Sequence, residues 1–492
     1  MNSPSLPAQE AGADVGQLVS VRGRYIWMIA SAAALGGLLF GYDWVVVGGA
    51  KPFYERYFQL DSPSLKGWAM SCALIGCLIG AVSSGGLSNR FGRKPLLTLA
   101  ALVFAVSSIG TGFAAGFDAF IVWRMLGGFA IGLASGISPM YIAEISPAHL
   151  RGRLVSLNQM AIVFGILLAQ VVNWLIARPV PPAATAHEIL VSWNGQWGWR
   201  WMFAVTAIPS ILFLIATFLV PESPRWLAMK ERSQEAFRVL ERLGGTAYAQ
   251  RVLEDFASAS KPARSRSVYA ELSSPGIANV LLLGIVLAVL QQWCGINVIF
   301  NYAQEIFAAA GYEVSDILFN IVVTGAVNVM FTLIALTAID RFGRRFLLLT
   351  GISGLVAIYI VLGVLYYLHL QGTPMLVLVL AAIACYAMSL APVTWVVIAE
   401  IFPNRIRGSA MSVAITALWT ACFLLTYTFP LLNEKLGAAG TFWTYAVICL
   451  SGLLFLFFCL PETKGRTLEQ IETSMLGNYP GEGRHRKNAR DI

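Results

Sequence analysis

The sequence is short of charge. Of its 492 residues only 12% are Asp, Glu, Lys or Arg, against roughly 25% in a soluble globular domain, so an ordinary water-exposed surface is excluded. Histidine is scarce, with four in the chain, and no His or Cys falls at the spacing of a metal site. The seven cysteines, Cys72, Cys77, Cys294, Cys385, Cys422, Cys449 and Cys459, all sit in apolar runs and read as small apolar side chains, not as a disulfide framework. No metal or cofactor is expected. Residues 1–24 are polar and lack the apolar core and cleavage site of a secretory signal, so the first apolar run is expected to be retained. No nucleophile–base pair or phosphate-binding loop appears, which argues against an enzyme.

In place of charge the chain has apolar length. It is 57% hydrophobic, and runs long enough to cross a lipid bilayer, about 20 residues each, recur along it. They fall at 25–47, 67–88, 95–115, 119–142, 154–176 and 199–220, then at 277–307, 316–338, 346–368, 374–399, 409–431 and 441–460. The expected fold is an all-α integral membrane protein with twelve transmembrane helices. If both termini are cytoplasmic, five of the 34 Lys and Arg are external (Lys51, Arg56, Lys66, Arg178, Lys435), Arg124 and Arg200 lie in spans or at their edges, and 27 are cytoplasmic. That asymmetry follows the positive-inside rule and accounts for the net charge of +8 without a nucleic-acid partner. A plasma membrane, bacterial and inner, is the expected location.

Three short stretches occur twice. NRFGRK (89–94) follows the second run and DRFGRR (340–345) the eighth; IAEISPAHLRG (142–152) follows the fourth and IAEIFPNRIRG (398–408) the tenth. PESPR (221–225) ends the sixth and PETKG (461–465) the twelfth. The offsets are 251, 256 and 240 residues, so a six-span unit is used twice in the same order. Two parallel six-helix halves are the major-facilitator architecture. The expected organisation is a cytoplasmic N-terminus (1–24), an N-terminal bundle (25–220), a cytoplasmic helical linker domain (221–275), a C-terminal bundle (276–461) and a cytoplasmic tail (462–492), the whole working as a monomer.

Two ionisable groups lie clearly within the expected spans, Asp43 and Arg124. A charge at the bilayer centre costs about 2.5–3.5 kcal/mol on insertion scales, so such residues have partners or tasks. Span one runs outward and span four inward, which puts both at similar depth below the external boundary and makes them a pair. The pair is either a static lock between two helices or a protonatable carboxylate whose arginine can leave. Apolar surroundings oppose ionisation of a carboxyl and an adjacent guanidinium favours it, so a motion separating the two drives proton uptake. Gly128, Gly132 and Gly136 recur at the four-residue stride of close helix packing. Glu144 and Glu400 end spans four and ten, each seven residues before an arginine, Arg151 and Arg407. Arg90, Arg93, Arg341, Arg344 and Arg345 occupy the equivalent loops of the two halves. These charges are either topology anchors or the salt bridges of a cytoplasmic gate.

The two RFGR loops, PESPR, PETKG and QQWCGIN (291–297) together resemble the sugar porter family of the major facilitator superfamily, over nearly the whole chain. Within it the chain is similar to bacterial proton-coupled xylose and glucose symporters and to animal glucose facilitators. The resemblance implies a proton-coupled hexose symporter, D-glucose first, working by alternating access. Proton-coupled members carry Asp at the position of Asp43, whereas the animal facilitators carry Asn. An uncoupled facilitator of hexose or pentose remains open, as does a membrane sugar sensor, although no long signalling tail follows the last span.

A monosaccharide needs partners for its hydroxyls and apolar surface for its C–H faces, and amides both donate and accept. Span seven supplies Gln291, Gln292, Asn297 and Asn301, which converge if the helix breaks near Gly295; they otherwise serve as glue between helices. In span five, Gln159, Ile166, Gln170 and Asn173 share one helical face. Asn328 stands in span eight, and Trp395 and Trp419 lie within spans ten and eleven. The resemblance implies that Gln159, Gln291, Gln292, Asn297, Asn328 and Trp395 bind sugar. It also implies that Phe40, Tyr386 and Trp419 surround it and that Tyr302 belongs to an external gate. Ile166 and Phe300 match the glucose facilitators, where the xylose symporter has Gln and Leu. Asn301, Ala391 and Leu418 depart from an expected Tyr, Gly and polar amide.

Overall fold

The computed structural model describes residues 22–147, 150–181, 184–259, 275–370, 372–402 and 406–464. Every regular element among them is helical, as an apolar solvent demands, since a helix satisfies its own backbone groups. The N-terminal half comprises α1 (Gly23–Tyr57), α2 (Pro63–Phe91), α3 (Arg93–Gly112), α4 (Phe117–Ile145), α5 (Arg151–Ile176) and α6 (Asn194–Leu219). Short helices α7 (Pro224–Met229), α8 (Ser233–Gly244) and α9 (Thr246–Ala259) follow. The C-terminal half comprises α10 (Pro275–Trp293), α11 (Ile296–Asn301), α12 (Ala303–Ala309), α13 (Val314–Phe342), α14 (Arg344–Tyr367), α15 (Thr373–Met388), α16 (Leu390–Ile401) and α17 (Arg407–Cys459). The end carrying the RFGR loops is called the basic end below, and the opposite one the distal end.

Two expectations need correcting. Helix α1 does not stop at residue 47 but continues through Pro52 to Tyr57, and Lys51, expected in an external segment, is 1% exposed inside it. The eleventh and twelfth runs are not separated by a loop. Here α17 is two helices that meet at a kink at Gly437 (φ 66°, ψ 178°), so all twelve expected runs are present as helices among the described residues. The seventh run does break at Gly295 (φ 86°), a left-handed conformation that suits glycine. The tenth breaks at Ser389.

The glycine stride in α4 is packing. A Cβ on Gly128 would lie 1.9 Å from the Ala73 carbonyl oxygen and one on Gly132 2.2 Å from that of Cys77. Gly76 and Gly80 of α2 meet the Met125 and Phe129 carbonyls equally closely. Because the obstruction is backbone on both sides, Gly128→Val is expected to destabilise the bundle by about 3 kcal/mol or more. A melting temperature and detergent-extracted yield equal to the parent's would show that α2 and α4 can part freely.

The repeated motifs build one device twice at the basic end. Gly92 (φ 100°) and Gly343 (φ 93°) turn the chain between helices, and the next helix starts on a glutamate from the end of its own half. Glu222 of PESPR accepts from the Arg93 and Lys94 N–H groups at 3.0 and 3.2 Å. Glu462 of PETKG accepts from those of Arg344 and Arg345, both at 3.1 Å. Negative charge at a helix N-terminus is favourable. Burial opposes ionisation of Glu462, but backbone N–H donors from Lys464, Arg344, Arg345 and Thr463 outweigh it and hold its carboxyl below the usual carboxylate range. Helices α7–α9 dock here: Trp226 packs with Leu227 and Ala236 and donates through Nε1 to the Asn89 carbonyl at 3.1 Å.

Candidate functional site

Asp43 and Arg124 meet in the N-terminal half. Nη1 of Arg124 donates to Oδ1 of Asp43 at 2.5 Å, with the residues 4% and 7% exposed. The guanidinium also lies over the Phe203 ring, 5.5 Å from its centroid, a favourable place for a desolvated cation. A pair this buried is costly to break one-sidedly, because the partner is left as a bare buried charge.

The break at Gly295 gathers the amides of span seven into a chain. Asn297 donates to Oε1 of Gln292 at 2.5 Å, Gln292 to Oε1 of Gln291 at 3.4 Å, and Gln291 to the Leu390 and Ala391 carbonyls at 3.1 and 3.2 Å. The chain ends on backbone that the break at Ser389 has exposed. Gln159 is half-buried on α5, Asn328 buried on α13, and Trp395 and Tyr386 half-buried on α16 and α15. None of these four hydrogen-bonds to the amide chain among the described residues. Ile166, Phe300 and Leu418 are buried. Of the remaining amides on α5, Asn173 donates to the Val46 carbonyl at 3.1 Å, within its own half, and Gln170 reaches Thr324 of α13 at 3.5 Å. Both act here as links between helices.

Aromatic rings bridge the halves. Phe40 lies 5.6 Å from Trp419 and 5.8 Å from Trp44, and Trp44 lies 6.2 Å from Trp419. Trp44 escaped the sequence reading; its signal was its position one helical turn beyond Phe40, on the same face. Lys51 escaped it too. Its ammonium pairs with Glu305 of α12, stands 3.5 Å from Glu55 and lies 4.3 Å from the centroid of the Tyr302 ring. Tyr302 donates to the Thr426 carbonyl at 2.7 Å and packs on Phe429.

Residues 29–475 match the family model described as sugar (and other) transporter. The chain belongs to this sugar transporter family. The transporter is 37% identical over 479 residues to a D-xylose-proton symporter of Escherichia coli, covering 91% of this chain and 95% of that one. It is 38% identical over 487 residues to a glucose transport protein of Synechocystis, covering 96% and 100%. Its fold is similar to the partially occluded inward-open conformation of the E. coli xylose transporter XylE, with a TM-score of 0.78 at 35% identity over 90% of this chain and 100% of that one. The all-helical major-facilitator fold follows, and the protein is a multi-pass membrane transporter, not an enzyme.

The transporter is shut at its distal end. There Lys51 meets Glu305, Gln170 meets Thr324, and Gly48 of α1 leaves room for the Phe300 and Asn301 carbonyls, each 3.1 Å from where its Cβ would be. At the basic end the charges bond within halves. Glu144 takes a bidentate pair from Arg93 at 2.8 and 2.9 Å plus the Ser223 hydroxyl at 2.6 Å. Glu400 takes Arg344 at 3.2 Å and the Thr463 hydroxyl at 2.6 Å. Arg90 and Arg341 are exposed, and Arg151, also exposed, donates to the Ala143 carbonyl at 3.2 Å. The Arg407 side chain lies outside what the structure describes. Among the described residues no ion pair at this end joins the two halves.

Proposed function

We propose that this transporter is a proton–hexose symporter, D-glucose its substrate, working by alternating access with Asp43 as the proton carrier. The observation that carries this reading is the buried Asp43–Arg124 pair, set in one half against helix α11 of the other. With the basic end cytoplasmic, the structure is the inward-facing state, its external gate held by Lys51, Tyr302 and Glu305. In the outward-facing state the arginines and glutamates of the basic end would close the cytoplasmic side. Sugar hydroxyls would replace the bonds that Gln291, Gln292 and Asn297 make with one another, at small net cost because each amide both donates and accepts. Gln159, Asn328 and Trp395 would complete the site, with Phe40, Tyr386 and Trp419 against the sugar ring. Ile166 and Phe300 favour glucose over xylose.

Addition of D-glucose to cells in weakly buffered medium is expected to alkalinise the medium, and xylose, galactose or inositol to compete less well against labelled glucose. Glucose entry without alkalinisation would make the protein an uncoupled facilitator.

A further inference from the structure

Beside the ion pair lies a cavity of about 20 Å³. Asp43, Trp44, Cys77 and Arg124 are among the residues that line it from the N-terminal half, and Asn301 is the lining residue from the C-terminal half. Two of these residues keep a buried atom without a hydrogen-bond partner, Nε of Arg124 and Oδ1 of Asn301, although they are only 4% and 5% exposed. Buried polar atoms in folded proteins are almost always satisfied, by protein or by ordered water. A cavity of this size holds one water molecule, and the residues that carry this donor and this acceptor both line it. The Asn301 backbone is seated against Gly48 of α1, which sets this part of α11 beside the pair.

We infer that a single water in this cavity joins Arg124 to Asn301, and that Asn301 is the positioning residue through which the C-terminal half senses the ion pair. The inference rests on Asp43 being the proton carrier. While Asp43 is ionised it anchors Arg124 through Nη1, the Nε–H donates to the water, and the water donates to Asn301. Protonation of Asp43 releases Arg124 and the bridge with it. The bridge exists only where α11 lies against α1, so it stabilises the ionised pair in the distal-closed state and favours proton release towards the basic end. The other titratable groups around the pair are the Tyr42 and Tyr54 hydroxyls on α1 and the Cys72 and Cys77 thiols on α2, with the Cys422 thiol beyond them in the C-terminal half. None of these is a second ionic partner for Asp43.

The test uses the full chain in proteoliposomes, with Asn301→Leu, which removes the acceptor at similar volume, and Asn301→Ser, which keeps one. Net glucose uptake is measured against internal pH, and counterflow at equal pH on both sides. Asn301→Leu should move the internal-pH midpoint of net uptake upward by about one unit, the effect of losing one hydrogen bond to a charged partner, a shift that a change in counterflow rate alone would not produce. Asn301→Ser should keep the parent profile. An unmoved profile in Asn301→Leu, or a parallel loss of counterflow and sugar affinity in both variants, would overturn the inference, the second by making Asn301 a sugar contact. Sugar accumulation by Asp43→Asn would separately overturn the proton-carrier reading.

Discussion

Accumulation of sugar against its gradient should collapse to simple equilibration when Asp43 is replaced by Asn. One charge moving through 100 mV is worth about 2.3 kcal/mol, which at ~1.4 kcal/mol per tenfold supports an internal excess of roughly 40-fold. Without a titratable group at residue 43 that coupling is lost and the ratio falls towards one. The substitution keeps the shape and a hydrogen-bond acceptor but leaves the Arg124 charge uncompensated, so a lowered melting temperature is expected. Arg124 is 4% exposed and would suffer from losing its acceptor entirely, but the Asn carbonyl can still accept from Nη1 in the position Oδ1 holds now. Exchange of labelled for unlabelled glucose across the membrane should therefore persist within a few-fold. Energised proteoliposomes measure both quantities in one preparation. A mutant that still concentrated glucose in a pH-dependent way would move the proton to another residue.

Much of this could be read along the chain because the strongest signals are local. Apolar length marks a crossing wherever it occurs, and the paired loops, PESPR and PETKG recur so regularly that the two halves announce themselves. Asp43 and Arg124 were legible for a related reason: charges are so rare in the spans that depth alone matches them. Lys51 was misread by the same logic, since a lysine after a run of Val and Gly looks like the end of a span. The helix continues because two carboxylates, one of them from residue 305, surround the ammonium, and no local pattern announces a partner so far away in sequence. Gly437 was obscured differently. A single residue with φ 66° makes the turn between two helices, where composition suggested a longer loop. The partners of the span-seven amides depend on how the breaks at Gly295 and Ser389 meet in space, and only the first was visible as a glycine amid apolar residues.

Replacing Lys51 with Met should open the distal end. The ammonium is the link between Glu55 on its own helix and Glu305 on α12, and it also caps the Tyr302 ring. Removing one partner of a buried pair costs about 3–5 kcal/mol. Glu305 keeps 32% of its side-chain surface exposed, towards a vestibule of about 600 Å³, so the low end of that range applies. About 3 kcal/mol corresponds to a shift of roughly 100-fold between the distal-closed and distal-open states. Glu305→Gln should act in the same direction but less strongly, since Lys51 retains Glu55. A cysteine at Ala303, buried beside Tyr302, reports the change in a background without the native cysteines. A membrane-impermeant maleimide added from the distal side should label it at least about tenfold faster in Lys51→Met than in the parent, and net uptake should slow as closure becomes limiting. Unchanged labelling with a lowered melting temperature would make Lys51 a residue that stabilises both states equally, and the work of distal closure would then fall to Tyr302 and its bond to the Thr426 carbonyl.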